Sequence, residues 1–450
     1  MLKKLMAIGV FFALAPFGFG QQGSIPKELT LHDCIGVAMQ RNSTLLQAKF
    51  QSESQDARVM SAYGGLLPSL SGSAQFQYAW RQSPAGYVVI GGTSIPVSNS
   101  STSRTYSGGV SADYTLFNGF ANYATVNQAN SASQSADLNY RRSKQTVINQ
   151  TTINYLTVFN ARDQLKINED NLKRDQQQLE SIKEQNSVGS ASLADVYQQQ
   201  AIVSNDEYSL VTAKNAYDQA QANLKFYLGI PVTDSVTFAD AGISSELDTT
   251  QFQRVNENFS NSAMLIEKAL QSRPDYQAAV ENVNAYKSSL SIAEAAYSPT
   301  ISAFGTYGIN GPQTTEINQN KSFYGGLSLS LPIFNGFQTQ TNIQIADVNV
   351  KSAKQSLENT RRQVQLDVYQ ALLSLHAAEK QYESAVTAVS YAKINLETYQ
   401  EKYKIGSATL LDVLTANALY TQDLSNRVIA AYTYIQAKQQ VEYAIGTINY

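Results

Sequence analysis

The stretch "YTLFNGFAN", Tyr114 to Asn122, returns far downstream as "LPIFNGFQT", Leu331 to Thr339. Each copy stands between a run of alternating apolar and polar residues and a long run with helical period. At such a junction the backbone changes its period from two to 3.6 within a few residues. Asn118 and Gly119, like Asn335 and Gly336, tolerate the positive φ that such a bend demands. Phe117, Phe120, Phe334 and Phe337 flank the corners, either as anchoring aromatics or as an ordinary hydrophobic turn.

A corner built twice points to an internal repeat. At the offset that pairs Gly119 with Gly336, "VGSASLADV" (Val188 to Val196) falls on "IGSATLLDV" (Ile405 to Val413), and Gly229 falls on Gly446. Upstream, "LLPSLSGSAQFQY" matches "YSPTISAFGTYGI" with Pro68 against Pro299, at a larger offset. The extra residues of the first copy fall in the Ser/Gly/Pro-rich stretch Arg81 to Thr105, expected to be a loop longer than its counterpart near "GPQTTEINQNKS". The expected organisation is a leader (1–20), a first repeat (21–229), a linker (230–261) and a second repeat (262–450). Each repeat reads as helix, strand, strand, long helix, helix.

Asn122 to Ser187 holds no Pro or Gly, and Val158, Leu165, Leu172 and Leu179 recur at coiled-coil spacing. Leu375, Tyr382, Val389 and Leu396 repeat that stripe in the second copy. At 1.5 Å per residue each such helix is about 100 Å long. A return helix from about Ala191 to Tyr227 covers roughly half that height, and a helix over Ser43 to Gly64 stacks to extend it. The strands alternate. Leu70, Ala74, Phe76, Tyr78 and Trp80 oppose Ser69, Ser71, Ser73, Gln75 and Gln77; Val110, Ala112, Tyr114 and Leu116 oppose Ser111, Asp113 and Thr115. In the second copy Leu327, Leu329, Leu331 and Ile333 oppose Ser328, Ser330 and Pro332. This pattern suits a membrane barrel with a wet lumen, and a soluble sandwich would share it.

The chain of 450 residues has a formal net charge of −3 and 15% charged residues, so it lacks the basic surface of a nucleic-acid binder. Lys3, Lys4 and "LMAIGVFFALAPFGFG" read as an export leader cleaved before Gln21. Past it, no run approaches the roughly 18 consecutive apolar residues of a spanning helix, so entry into a membrane requires a barrel. Four strands cannot close a barrel around a lumen, since small barrels need about eight, and several chains must share one. The single cysteine, Cys34, reads as a buried thiol.

The early "TLHDCIGVAMQRN", the "LLPSLS" strand entry, the two Phe-Asn-Gly-Phe corners and the paired Gly-Ser turns jointly resemble the TolC-like outer-membrane efflux proteins, over nearly all of the chain past the leader. The resemblance implies a mostly α fold with a small β part. It implies a homotrimer in which four strands per chain form a twelve-stranded barrel in the outer membrane of a Gram-negative bacterium, above a periplasmic α-helical coiled-coil tunnel. It implies a passive exit duct of a tripartite efflux or type I secretion system, with a periplasmic adaptor, an inner-membrane pump and outer-membrane lipid as partners and no cofactor. The linker, acidic and without helical period, would belt the tunnel at mid-height.

By the same resemblance, Gly189, Ser190, Leu193, Asp195 and Val196, with Gly406, Ser407, Leu410, Asp412 and Val413, form tips that meet the adaptor and close the resting channel. Leu193 and Leu410 are expected to stand exposed beside their turns. Some relatives carry two aspartates three residues apart after the second tip; here Asp412 matches the first and Thr415 stands at the second, so the resemblance implies a single acidic position there and no double acidic ring. Asp195 and Asp412 equally suit a helix N-terminus, where the macrodipole favours negative charge.

A structural coiled-coil surface or periplasmic protein without transport activity would share the heptads but has no use for the strands. Catalysis finds little support: His32 and His376 are the only histidines, and no H-E-x-x-H, G-x-S-x-G or phosphate-loop motif occurs. His376 reads as structural, and Arg141, Arg142, Arg361 and Arg362 as solvated helix faces.

Overall fold

The computed structural model describes residues 26–239, 246–247, 252, 259 and 261–448. The leader and most of the linker therefore lie outside the described residues. Strand β1 (Glu28–Leu29) is followed by α1 (Leu31–Arg41), α2 (Ser43–Gly64), β2 (Ser69–Ile90), β3 (Thr93–Asn118), α3 (Ala121–Ser187) and α4 (Leu193–Leu228). After β4 (Thr237–Phe238) come α5 (Ser262–Ser272), α6 (Pro274–Ala295), β5 (Thr300–Gly311), β6 (Asn320–Ser330), α7 (Gln338–Lys404) and α8 (Leu410–Ile445). The fold is mostly helical with a small sheet. Helices α3 and α7 have 67 residues each, and α4 and α8 have 36 each. At 1.5 Å per residue the long pair is about 100 Å tall. No described helix is long and apolar enough to cross a membrane.

The corners set the direction of both long helices, and their chemistry differs in one respect from the sequence expectation. The left-handed residues are Gly119 and Phe120 (φ 65° and 65°), with Gly336 and Phe337 (65° and 67°) in the second copy; Asn is not among them. Asn118 instead caps the helix. Its Oδ1 accepts from the Asn122 backbone N–H at 3.4 Å, and its amide donates to Asn122 Oδ1 at 2.9 Å. Asn335 does the same toward Thr339. A left-handed phenylalanine costs about 1–2 kcal/mol. Edge-to-face contact offsets part of this: Phe117 and Phe120 lie 5.4 Å apart at 86°, and Phe334 and Phe337 lie 5.5 Å apart at 89°.

The sheet has the order β2-β3-β5-β6, all antiparallel, and its register defines two faces. Gly72 pairs Val110, Val110 pairs Tyr307, and Tyr307 pairs Phe323, one apolar row across four strands. One residue along, Ser71, Ser111, Thr306 and Tyr324 form the opposite row. Leu70, Phe76, Trp80, Leu327 and Leu329 stand exposed in the chain.

Two boundaries depart from expectation. Arg81 to Thr105 is not a loop: β2 and β3 continue as a paired ribbon and turn at Gly91 and Gly92, both at positive φ. Serine- and glycine-rich sequence cannot pack a core but can still satisfy a two-stranded ladder through its backbone. Conversely β6 stops at Ser330, leaving Leu331 and Ile333 beyond it. Its partner β5 begins at Thr300, opposite Ser330, and Pro332 has no N–H to extend the ladder.

Two helical cores hold the tall part. Leu29, Cys34, Leu45, Tyr155, Phe159, Leu224, Leu228 and Tyr432 pack where α1 meets α3, α4 and α8. Phe252, Leu265, Val364, Leu375, Tyr382, Tyr434 and Val441 do so around α5, α7 and α8. Cys34 is fully buried, and burial pushes its thiol up to about 12. Between the cores sits an ion cluster. Arg273, its side chain only 4% exposed, bonds Asp275 at 2.6 Å, Asp367 at 2.8 Å and the Ala444 carbonyl. Arg142 belongs here too and not on a solvated face: its guanidinium lies 3.9 Å over the Tyr443 ring, 3.7 Å from Asp275, and donates to the Tyr443 carbonyl. Arg141, Arg361 and Arg362 do sit in exposed pairs.

Removing one partner of a buried pair leaves an uncompensated charge, at about 3–5 kcal/mol. Arg273→Met is therefore expected to lower stability by about that amount, read as a shift in denaturation midpoint. Burial raises the Asp275 carboxyl, but the Arg273 hydrogen bond and the charges of Arg142 and Arg273 outweigh it and hold it below its ordinary 3.8. Its contribution is present above that value and is lost as pH falls through the lowered one. The acid side of the stability profile should thus flatten in the Arg273 variant.

Candidate functional site

At the end of the rod far from the sheet, two helical turns carry the residues singled out in the sequence. Gly189 and Gly406 adopt φ of 78° and 75°. Each is followed by a serine whose N–H bonds five residues back, Ser190 to Gln185 and Ser407 to Lys402, both at 2.8 Å. This satisfies carbonyls that a helix end leaves open. The next helices begin with reciprocal capping boxes. Asp195 accepts from the Ser192 N–H at 3.0 Å, and Asp412 accepts from the Thr409 N–H at 2.8 Å. The Thr409 hydroxyl and backbone bonds hold the Asp412 carboxyl below its ordinary range. Both aspartates are thus committed to starting their helices. Thr415 spends its hydroxyl on the Leu411 carbonyl.

The tips are not equivalent. Leu193 is 56% exposed, as expected, whereas Leu410 is 5% exposed. Leu410 and Leu414 pack onto Ile182 and Val196 of the first hairpin, with Leu179, Ile202 and Tyr403 beside them. The expectation that Leu410 stands free is corrected: the neighbouring hairpin supplies the core that its own turn lacks. The exposed leucine of the second tip is Leu411, joined by Val188 and Ile405 at the turns. Val196 and Val413 are buried. The Tyr403 hydroxyl bridges the tips by donating to Gln185 Oε1 at 3.3 Å.

Farther up the rod lies a polar cluster that the motif reading missed. Asn171, Arg174 and Asp175 of α3 meet Gln199 and Asp206 of α4 and Asn417 and Thr421 of α8. Asn171 Oδ1 accepts from Arg174 at 3.0 Å, Asn417 at 3.2 Å and Thr421 at 2.7 Å. Arg174 also donates to Asn417 Oδ1 at 3.3 Å and Thr421 Oγ1 at 2.9 Å, so it crosses from one hairpin to the other. Asp175 accepts from Gln199 at 3.1 Å and Asn417 at 3.0 Å. Asp206 Oδ1 accepts from Asn171 at 2.9 Å, while its Oδ2 is buried without a donor. Burial, then the neighbouring Asp175 carboxyl, pushes Asp206 up to about 7. One sequence signal was present: Asp175 stands three residues after Leu172, on the inward stripe, where a carboxylate is out of place.

A wall of very long helices under an antiparallel sheet with one apolar and one polar face defines an outer-membrane channel with a periplasmic tunnel. The family model described as "Outer membrane efflux protein" matches residues 34–230 and 265–447, and the chain belongs to that family. It is 25% identical over 464 aligned residues to "Outer membrane protein TolC" of Escherichia coli (strain K12), across 100% of this chain and 87% of that one. It is 22% identical to "Cation efflux system protein CusC" of the same strain, over 71% of this chain and 68% of that one. Among solved structures, the outer membrane protein VceC of Vibrio cholerae superposes with a TM-score of 0.76, at 17% identity over 92% of this chain and 96% of that one. The Campylobacter jejuni CmeC outer membrane channel gives 0.75, at 19% identity over 93% and 85%.

The unequal burial of the two leucines has a direct consequence. Leu410→Ala removes core and should cost about 2–5 kcal/mol, lowering the yield or melting temperature of folded protein. Leu193→Ala should leave the fold of a single chain nearly unchanged.

Proposed function

We propose that three copies of the chain close one twelve-stranded barrel and one tunnel, and that this passive duct is opened at its tips by a periplasmic adaptor coupled to an inner-membrane pump. The observation that carries the reading is the sheet: a continuous apolar face flanked by two unpaired edges, β2 and β6. Neither edge can face hydrocarbon. Two copies would give eight strands, an interior that side chains nearly fill, whereas three leave a channel. TolC, an outer membrane protein, and CusC, a cation efflux system protein, support the same role here. The energy for transport comes from the pump, since the sequence holds no phosphate-binding loop.

The inequality of the tips supports the ring. Leu410 and Leu414 cover Leu179, Ile182 and Val196 of the first hairpin within one chain. The repeat places Leu193 and Tyr197 at the corresponding positions of the first hairpin, and these are 56% and 63% exposed. The positions on the second hairpin that correspond to Leu179, Ile182 and Val196 are Leu396, Tyr399 and Val413; Leu396 and Val413 are already covered within the chain, and the half-buried Tyr399 is left to meet a neighbour. Seated on the next copy, Leu193 and Tyr197 would find what Leu410 and Leu414 find at home, and the head-to-tail contact closes on itself. The glycine corners agree: a Cβ on Gly119 would lie 2.6 Å from Ser298, whereas Gly336 faces open space that a neighbour can fill. Val188, Ile405 and Leu411 remain apolar and outward at the very end, where an adaptor helix can rest.

The protein is expected to fractionate with the outer membrane and to resist salt extraction. Leu193→Cys with Tyr399→Cys should give covalent trimers on oxidation; a monodisperse monomer in mild detergent would refute the ring. Ile405→Asp with Leu411→Asp should abolish efflux of a dye from cells while leaving trimer and insertion at wild-type amounts. Normal efflux in that variant would remove the tips from adaptor contact.

A further inference from the structure

We propose that Asp206 carries a proton beside the Asp175 carboxylate, and that this proton decides whether Arg174 ties the first hairpin to the second. The donor pattern assigns the charge. Asp175, 3% exposed, has an amide donor on each carboxylate oxygen, from Gln199 and Asn417. Asp206 has one donor, Asn171, and its buried Oδ2 has none. Asp175 is therefore the carboxylate, and the proton sits on Asp206 Oδ2, which without it would be an unpaired buried acceptor. With that proton in place the cluster is neutral, Asp175 negative and Arg174 positive, and Arg174 is free to reach across to Asn417 and Thr421.

Loss of the proton places a second negative charge beside Asp175 in a poorly solvated site. Arg174 is the one cation bonded in this cluster. Tyr420 of α8 also faces it, with its ring centre 5.7 Å from the guanidinium carbon. Beside Tyr420, α7 contributes Tyr399 and Tyr403, and α4 sets neutral Gln199 against Asp175. An ionised Asp206 attracts Arg174 toward α4, and every step it takes lengthens its bonds to Asn417 and Thr421 on α8. The tie between hairpins weakens where the two must part if the tips are to open. Because the folded state holds this proton more tightly than the unfolded chain, the stabilisation is complete in acid below the ordinary carboxylate value. It is lost as pH rises through about 7. The link to gating rests on the duct reading; the proton-controlled tie does not.

The test places spin labels at Val188→Cys and Ile405→Cys, one on each exposed turn, in the full-length protein in detergent, diluted with unlabelled copies so that the pair within one chain dominates. Cys34 is buried and stays unlabelled. Distance distributions between about pH 5 and about pH 9 should be narrow in acid and broaden with a midpoint near neutrality. Asp206→Asn, which mimics the protonated carboxyl in shape, should stay narrow throughout, and Arg174→Gln should be broad throughout. Infrared spectra should show a protonated-carboxyl band that disappears near neutral pH and is missing in Asp206→Asn. A wild-type distribution unchanged by pH, or an Asp206→Asn variant that titrates like wild type, overturns the proposal. Neither outcome bears on the duct, which efflux and fractionation test separately.

Discussion

A peptide N–H placed in hydrocarbon must find an acceptor within the protein. Most of this molecule follows from that requirement. Four antiparallel strands satisfy their inner ladders, but β2 and β6 each keep an open edge, so the sheet is incomplete as a single chain. In the proposed barrel its apolar row, Val110, Tyr307 and Phe323, meets lipid, and the opposite row, with Ser111 and Thr306, meets water. In the proposed ring, the closure that satisfies these edges also encloses a lumen. Below the sheet the backbone must leave the ladder without stranding polar groups, and it does so through a corner in which an asparagine caps the helix and a glycine-phenylalanine pair takes the left-handed turn.

Much of this was legible in the sequence, and the exceptions share a cause. Helix α3 was read as Asn122 to Ser187 and runs Ala121–Ser187, because a stretch without Pro or Gly bounded by a corner and a Gly-Ser turn has few alternatives. The capping residues Ser192 and Thr409 act over three residues and were equally readable. What failed was whatever depends on a distant partner. Arg81 to Thr105 has loop composition, yet pairing between its own halves makes it a ribbon. Arg142 was read as solvated because its cover, Tyr443, comes some three hundred residues later. Leu193 and Leu410 occupy the same place in the same motif, and only the neighbouring hairpin makes one exposed and the other buried.

That last difference shows how a duplicated sequence gains unequal parts. In the proposed ring, a motif placed twice in one chain has one junction inside the chain and one made with another copy. The inside junction is closed by Leu410 and Leu414; the outward one presents Leu193 and Tyr197. The same asymmetry holds at the corners, where Ser298 fills the space beside Gly119 and nothing in the chain fills the space beside Gly336.

Long coiled helices carry a further problem, since an unbroken apolar stripe allows them to slide by a turn at small cost. Polar residues on the stripe prevent this because each has bonds that only one register satisfies. Asp175, Gln199 and Asn417 are buried at 3%, 0% and 8% exposure, and their donors and acceptors interlock across α3, α4 and α8. Such groups add little net stability over a hydrophobic packing of the same volume. Their value lies in definition, and in the fact that a bond held by a proton or a charge can be undone without unpacking the helices. If the tips open as proposed, polar contacts of that kind across the junction can be released while the apolar ones persist. Both kinds are present here: Tyr155, Phe159 and Leu224 pack with Tyr432, and Ile182 and Val196 with Leu410 and Leu414, while Arg174, Asn417 and Thr421 add polar bonds across the same junction.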